Sequence, residues 1–193
     1  MTRLGVLVSG GGSNLQAIID ACEKGILKGK AEVAVVISNK AEAFGLERAK
    51  KHGIPAVLID KRSCADAGSF CAEIQKELVK NKVDLVCLAG YLLKLEPGIV
   101  QGFKIINIHP ALLPKYGGKG MYGHFVHEAV IAAGEKESGA TVHWVDEHYD
   151  NGKIVMQEKV SVLNDDTPEA LAKRVLEVEH KIYPEAILKI ISG

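Results

Sequence analysis

The sequence predicts an α/β protein built on a twisted, mostly parallel sheet with helices on both faces. Three observations carry that prediction. Short apolar runs rich in β-branched residues recur at 4–8, 33–37, 56–59, 85–89 and 105–109, and a nearly unbroken apolar run is what a strand covered on both faces needs. Between them lie segments whose apolar residues repeat at helical spacing, so strand and helix alternate through the first two thirds of the chain as βαβ units do. The first run also passes directly into a glycine loop that opens a helix, as in Rossmann-like sheets.

From the N-terminus, the strand at 4–8 is followed by Ser9, three glycines, Ser13 and Asn14, and then by a helix marked by Leu15, Ile18, Ile19 and Cys22. Gly12, Ser13 and Asn14 lie where free N–H groups and the helix dipole favour an anion, phosphate above all. Ser13 and Asn14 are also expected to cap the helix. The loop lacks the Gly-Lys-Ser/Thr ending of a nucleoside-triphosphatase loop, and Leu15 stands where a dinucleotide fingerprint has its third glycine. The second strand, 33–37, ends in Ser38, Asn39 and Lys40 without a carboxylate for a ribose, so a single phosphate is favoured over a dinucleotide. A helix over 42–52 is closed by Gly53 and Pro55, 56–59 is the third strand, and 61–68 reads as a loop. Phe70, Ile74 and Leu78 mark a packing helix. The strand 85–89 then leaves the sheet through Gly90, Tyr91, Leu92, Leu93, Lys94 and Leu95, an apolar loop before a short helix over 96–101.

The strand at 105–109 carries the chemistry. Strand pleating turns Asn107 and His109 to the same side, and Pro110 ends the ladder there, leaving an amide donor and an imidazole at the mouth of the sheet. Residues 115–123, flexible and basic with no period, are expected to be mobile or shaped by substrate. A helix follows, opened by His124 and His127, which share a face but, without acids to join them, make a poor metal site. The run 141–145 alternates as a strand with His143 opposite Trp144. It is joined to a strand at 154–160 by an acidic turn containing Asp150, and these late strands are candidates for antiparallel pairing. A carboxylate near His109 would raise the imidazole pKa, which makes Asp150 the residue of interest in an otherwise ordinary turn. Thr167 and Pro168 start a last helix that Pro184 is expected to interrupt.

Lys plus Arg and Asp plus Glu number 24 each, so no overall field draws the chain to nucleic acid or an anionic membrane. No apolar run approaches the roughly 20 residues of a membrane span, and a cytoplasmic location is expected. Cysteines 22, 64, 71 and 87 form no CxxC pair and are expected to be reduced and mostly buried, with no zinc site. The 193 residues suit one domain, with a phosphate-binding half at about 1–100 and a catalytic half at about 101–193.

With NIHPALLP at 107–114, VSGGGSNLQAII at 8–19, SNKAEAFGLERAK at 38–50 and EHKIYPEA at 179–186, the chain resembles the phosphoribosylglycinamide formyltransferases from residue 4 to about 184. The resemblance implies a formyltransferase fold, with Asn107, His109 and Asp150 as the catalytic set. It further implies that Gly12, Ser13 and Asn14 hold the ribonucleotide phosphate, that Glu179 lies near the substrate amine, and that Leu92, Leu93, Lys94, Leu95 and Asn107 receive the folate. The implied co-substrates are 10-formyltetrahydrofolate and glycinamide ribonucleotide. No metal, nucleic acid or membrane is implied, and the state is a monomer or homodimer. A family arginine near the folate tail aligns with Ala67, leaving Lys61 or Arg62 to serve, and Asn151 replaces a glycine after the catalytic acid. A methionyl-tRNA transferase would call for a further domain and a basic surface, and a formyl-folate hydrolase for an N-terminal regulatory domain. A non-catalytic module would use the glycine loop alone.

Overall fold

The computed structural model describes residues 1–193. Seven strands form one sheet in the order β3-β2-β1-β4-β5-β6-β7. Strands β1 (Thr2–Val8), β2 (Ala31–Ser38), β3 (Ala56–Leu58), β4 (Leu85–Leu88) and β5 (Ile105–His109) are parallel. Strands β6 (Glu137–Trp144) and β7 (Ile154–Ser161) extend the sheet antiparallel. The chain builds outward from β1 to β3 and then returns to place β4 on the other side of β1. This reversal opens a crevice beyond the carboxyl ends of β1 and β4, where open α/β sheets bind ligands.

The pleat divides the core in two. Leu4, Val6 and Val8 of β1, with Leu85 and Cys87 of β4, join a cluster of 29 buried residues on one face. Leu7, Val86 and Leu88 join a second of 14 on the other. The first is roofed by α1 (Ser13–Lys24), α2 (Phe44–Lys51), α5 (His124–Ala132) and α6 (Pro168–Ser192), and the second by α3 (Ala67–Lys80) and α4 (Pro97–Gly102). Each inner strand therefore buries both sets of side chains, which is why its sequence is apolar without alternation.

Four expectations need correction. Ser13 and Asn14 do not cap α1: Gly12 does, at φ 68°, with no side-chain cap bond. Helix α3 begins at Ala67, inside the expected loop, because Asp66 and Ser69 form a capping box; the same loop holds a single 3₁₀ turn over Lys61–Ser63. Strand β6 starts at Glu137, four residues early, because β7 pairs with it along its whole length. Helix α6 runs unbroken through Pro184. A proline there forfeits one backbone hydrogen bond, but Tyr183, Pro184 and Ile187 are buried, and the Tyr183 hydroxyl donates to the Leu88 carbonyl at 2.9 Å. Packing against the sheet offsets the lost bond. All four cysteines are free, two of them buried. No helix is long and apolar enough to cross a membrane.

Candidate active site

The β5 pleat places Asn107 and His109 on one side as expected, and β6 adds a third group. In the antiparallel register Asn107 lies opposite His143, so the two side chains share a face. His143 Nδ1 donates to the Trp144 carbonyl at 2.9 Å, which leaves Nε2 to accept one N–H of the Asn107 amide at 3.2 Å. The second amide hydrogen of Asn107 stays free for a ligand. His143 escaped sequence reasoning as a site residue. Alternation gave its face, but not which strand lies beside it.

Asp150 reaches the same place from the β6–β7 turn, where its own backbone is left-handed at φ 50°. Its Oδ2 lies 3.6 Å from His109 Nδ1 and its Oδ1 3.6 Å from His143 Nε2. The same carboxylate accepts the Gly118 N–H at 2.9 Å, while His109 Nε2 donates to the Tyr116 carbonyl at 2.7 Å. Residues 116 and 118, in the segment expected to be mobile, thus hold His109 and Asp150 from the far side.

Electrostatics qualify one expectation. Burial pushes the His109 pKa down and outweighs the Asp150 charge and the Tyr116 carbonyl, which push it up, so the net direction is below the usual imidazole value rather than above it. Burial also works to raise Asp150, but His143 and His109, each in its protonated form, and the Gly118 amide together hold it below the usual carboxylate range. The acid is ionised, and its partner gains a proton only against the cost of burial.

Two cavities meet here. One, about 500 Å³, is lined by Asn107, His109, His143 and Asp150 at one end and by residues 92–95, Lys94 facing Tyr149, at the other. The second, about 590 Å³, is lined by Gly10, Gly11, Gly12, Ser13, Asn14 and Glu179. Gly90, Ile108, Pro110 and Gly123 border both. The glycine loop is braced from behind, with the Gly45 N–H donating to the Gly10 carbonyl at 3.1 Å and Arg48 Nε to the Gly11 carbonyl at 2.8 Å. A Cβ on Gly12 would come within 2.8 Å of the Gly45 backbone, so both its conformation and its surroundings require glycine. Asn14 Nδ2 donates to Glu179 at 2.5 Å. Burial raises Glu179 to about 7, with the Asn14 hydrogen bond opposing.

The sequence profile of the formyl transferase family matches residues 2–187. The chain belongs to that family. Phosphoribosylglycinamide formyltransferase from Haemophilus influenzae is 44% identical over 195 residues, covering 100% of this chain and 89% of its own length. The chloroplastic enzyme of that name from Vigna unguiculata is 47% identical over 187 residues, 96% of this chain and 59% of its own length. A trifunctional purine biosynthetic protein from Chironomus tentans is 43% identical over 193 residues, of which this chain spans 14%. The chain thus spans less than two thirds of several curated relatives. Among solved structures, glycinamide ribonucleotide transformylase 1 from Symbiobacterium toebii superposes with a TM-score of 0.94 at 42% identity, covering 100% of this chain and 89% of that one.

Within this formyl transferase chain, the departures from the expected pattern have structural outcomes. Arg62 is paired with Asp60 in its own turn, and neither Lys61, Arg62 nor Ala67 lines the 500 Å³ cavity. The lysines that do are Lys94 and Lys119. Asn151 is accommodated by donating to Asp146 at 3.2 Å. His124 has an acid beside it after all, Glu128 at 2.9 Å, but His127 is buried, and no group of three His, Cys, Asp or Glu side chains is placed to hold a metal ion.

Proposed function

We propose that the protein transfers the formyl group of 10-formyltetrahydrofolate to the free amine of N1-(5-phospho-D-ribosyl)glycinamide, giving the N-formyl product and tetrahydrofolate in purine synthesis. The carrying observation is that the cavity holding Asn107, His109 and Asp150 meets a second, differently built cavity at Gly90, Ile108, Pro110 and Gly123. One is walled by apolar residues suited to a flat pterin, with Lys94 and Lys119 available to the acidic folate tail. The other ends in the braced glycine loop suited to a phosphate, with the Glu179 carboxylate available to the amine.

Attack of the amine on the formyl carbon places negative charge on the formyl oxygen. The free N–H of Asn107 and the imidazolium of His109 are the donors for that oxygen, each worth roughly 3 kcal/mol if preorganised. His109 Nε2 is engaged by Tyr116, so the turn at 116–118 gives up that carbonyl when substrate oxygen replaces it. Asp150 favours the cationic ring and passes the proton from the attacking amine toward the departing folate nitrogen. Amine, formyl carbon and folate nitrogen are brought into line by the two cavities, which supplies the proximity term.

The test is absorbance of a formyl-folate analogue that changes on deformylation, followed with and without the ribonucleotide. Deformylation is expected only with both substrates, and Asp150→Asn is expected to lower turnover well over tenfold while folding normally. Deformylation without ribonucleotide would replace transfer by hydrolysis, and full turnover in the variant would remove Asp150 from the mechanism.

A further inference from the structure

His127 is a buried imidazole that nothing in the fold employs. It is the fourth residue of α5, is 4% exposed, and borders the cavity that also holds Asn14 and Glu179. Its Nδ1 is sealed from solvent and has no hydrogen-bond partner. Nε2 is therefore the only polar atom the ring can present to the cavity. A buried N–H without an acceptor is costly, so the proton of the neutral ring resides on Nε2, where a ligand or water can take it, and Nδ1 is left as a bare acceptor. The ring is neutral: burial, then the charges of His124 and His109, press its pKa down to about 4.

We propose that His127 is a substrate-binding residue that donates Nε2–H to an uncharged oxygen of the ribonucleotide, between its phosphate and its reacting amine. The chemistry of the cavity selects that part of the ligand. Phosphate calls for cations and backbone N–H groups, which the glycine loop at residues 10–14 supplies and a neutral imidazole does not. An amine calls for a carboxylate, which Glu179 supplies. A single neutral donor on the α5 wall fits a ribose hydroxyl or the amide carbonyl, two oxygens of the same hydrogen-bonding kind. The inference rests on the formyl-transfer reading above.

His127→Phe keeps an aromatic ring but removes the donor, while His127→Gln places an amide N–H near the position of Nε2. The phenylalanine variant is expected to raise the ribonucleotide KM tenfold or more with the folate KM within twofold, and the glutamine variant to recover most of that loss. Using a deoxyribose form of the ribonucleotide separates the two acceptors. The Phe penalty disappears if the partner is the missing hydroxyl and persists if it is the carbonyl. In the unaltered protein, the ¹⁵N resonances of His127 should report the Nε2–H tautomer and shift with ribonucleotide but not with a folate analogue, a readout independent of how the variants fold. Equal changes in both KM values, no change in either, or resonances indifferent to ribonucleotide overturn the assignment. Where the unaltered enzyme saturates normally, only His127 is lost. Where it fails to saturate with ribonucleotide at all, the formyl-transfer reading falls with it.

Discussion

At the scale of the residue, Glu179 shows how burial sets chemistry. It is 8% exposed, and its one polar partner is the neutral Asn14 amide, so its pKa rises from 4.5 to about 7. Between those values the folded chain holds a proton that the unfolded chain has released. Stability from this group is therefore complete below about 4.5 and is lost as pH rises toward 7, by on the order of 3 kcal/mol. Replacing it by glutamine removes the titration. Denaturant unfolding of Glu179→Gln against the unaltered chain should give a difference that grows from pH 4.5 to 7 in favour of the variant, and a difference independent of pH would rule out the burial effect. The same balance explains what was legible in the sequence and what was not. The shared side of Asn107 and His109 could be read from one pleat and one proline, whereas the acidic turn offered Asp150 without showing that it reaches His109. The direction of the His109 pKa could not, because it depends on whether burial or the Asp150 charge wins, and burial is a property of residues distant in sequence that close over the ring. His143 was hidden for a related reason: its neighbour Asn107 is 36 residues away.

At the scale of the element, two turns hold His109 and Asp150 against each other. Gly118 N–H and the Tyr116 carbonyl, from one turn, grip Asp150 and His109, and between them Gly117 lies tight against the other turn. A Cβ there would come within 2.6 Å of Leu113 Cδ2 and 3.1 Å of Asp150 Cβ. Leu113 can move its methyl, whereas Asp150 can yield only by shifting its left-handed turn. Gly117→Ala is thus expected to cost about 1–3 kcal/mol through overpacking and to lower kcat at least tenfold by moving the carboxylate. Turnover and thermal unfolding measured on the same preparation check both, and unchanged kcat would show that the turns adjust independently. Sequence period located most elements because apolar strands and helical stripes are local signals. Element ends were harder to read. The start of α3 depends on an Asp66–Ser69 exchange of bonds, and the continuity of α6 at Pro184 depends on a sheet surface that repays a missing backbone bond. Neither shows in a hydrophobic pattern.

At the scale of the whole molecule, α6 ties the end of the chain to its beginning. Glu179 meets Asn14 from 165 residues away. One turn further on, the Tyr183 hydroxyl lies fully buried between the Leu88 carbonyl at 2.9 Å and the Ile106 carbonyl at 3.3 Å, joining the strand that leads into residues 90–95 to the strand that carries Asn107 and His109. Alternation of strand and helix made the parallel sheet readable, but the return of the last helix across β4 and β5 has no local signature. With equal numbers of acidic and basic residues, long-range charge does not favour this closure, so packing and buried hydrogen bonds must. Tyr183→Phe removes one donor without opening a cavity and strands a carbonyl in the core. The expected cost is about 1–3 kcal/mol, or roughly 2–4 °C in Tm for each kcal/mol in a chain of this size. Because one sheet runs from β3 to β7 and both cores share its inner strands, the loss should appear as a shift of a single transition with an unchanged denaturant slope. Separate transitions for the N- and C-terminal strands would mean that α6 does not couple them, and a variant as stable as the unaltered chain would mean that water or a rearranged backbone satisfies those carbonyls without the hydroxyl.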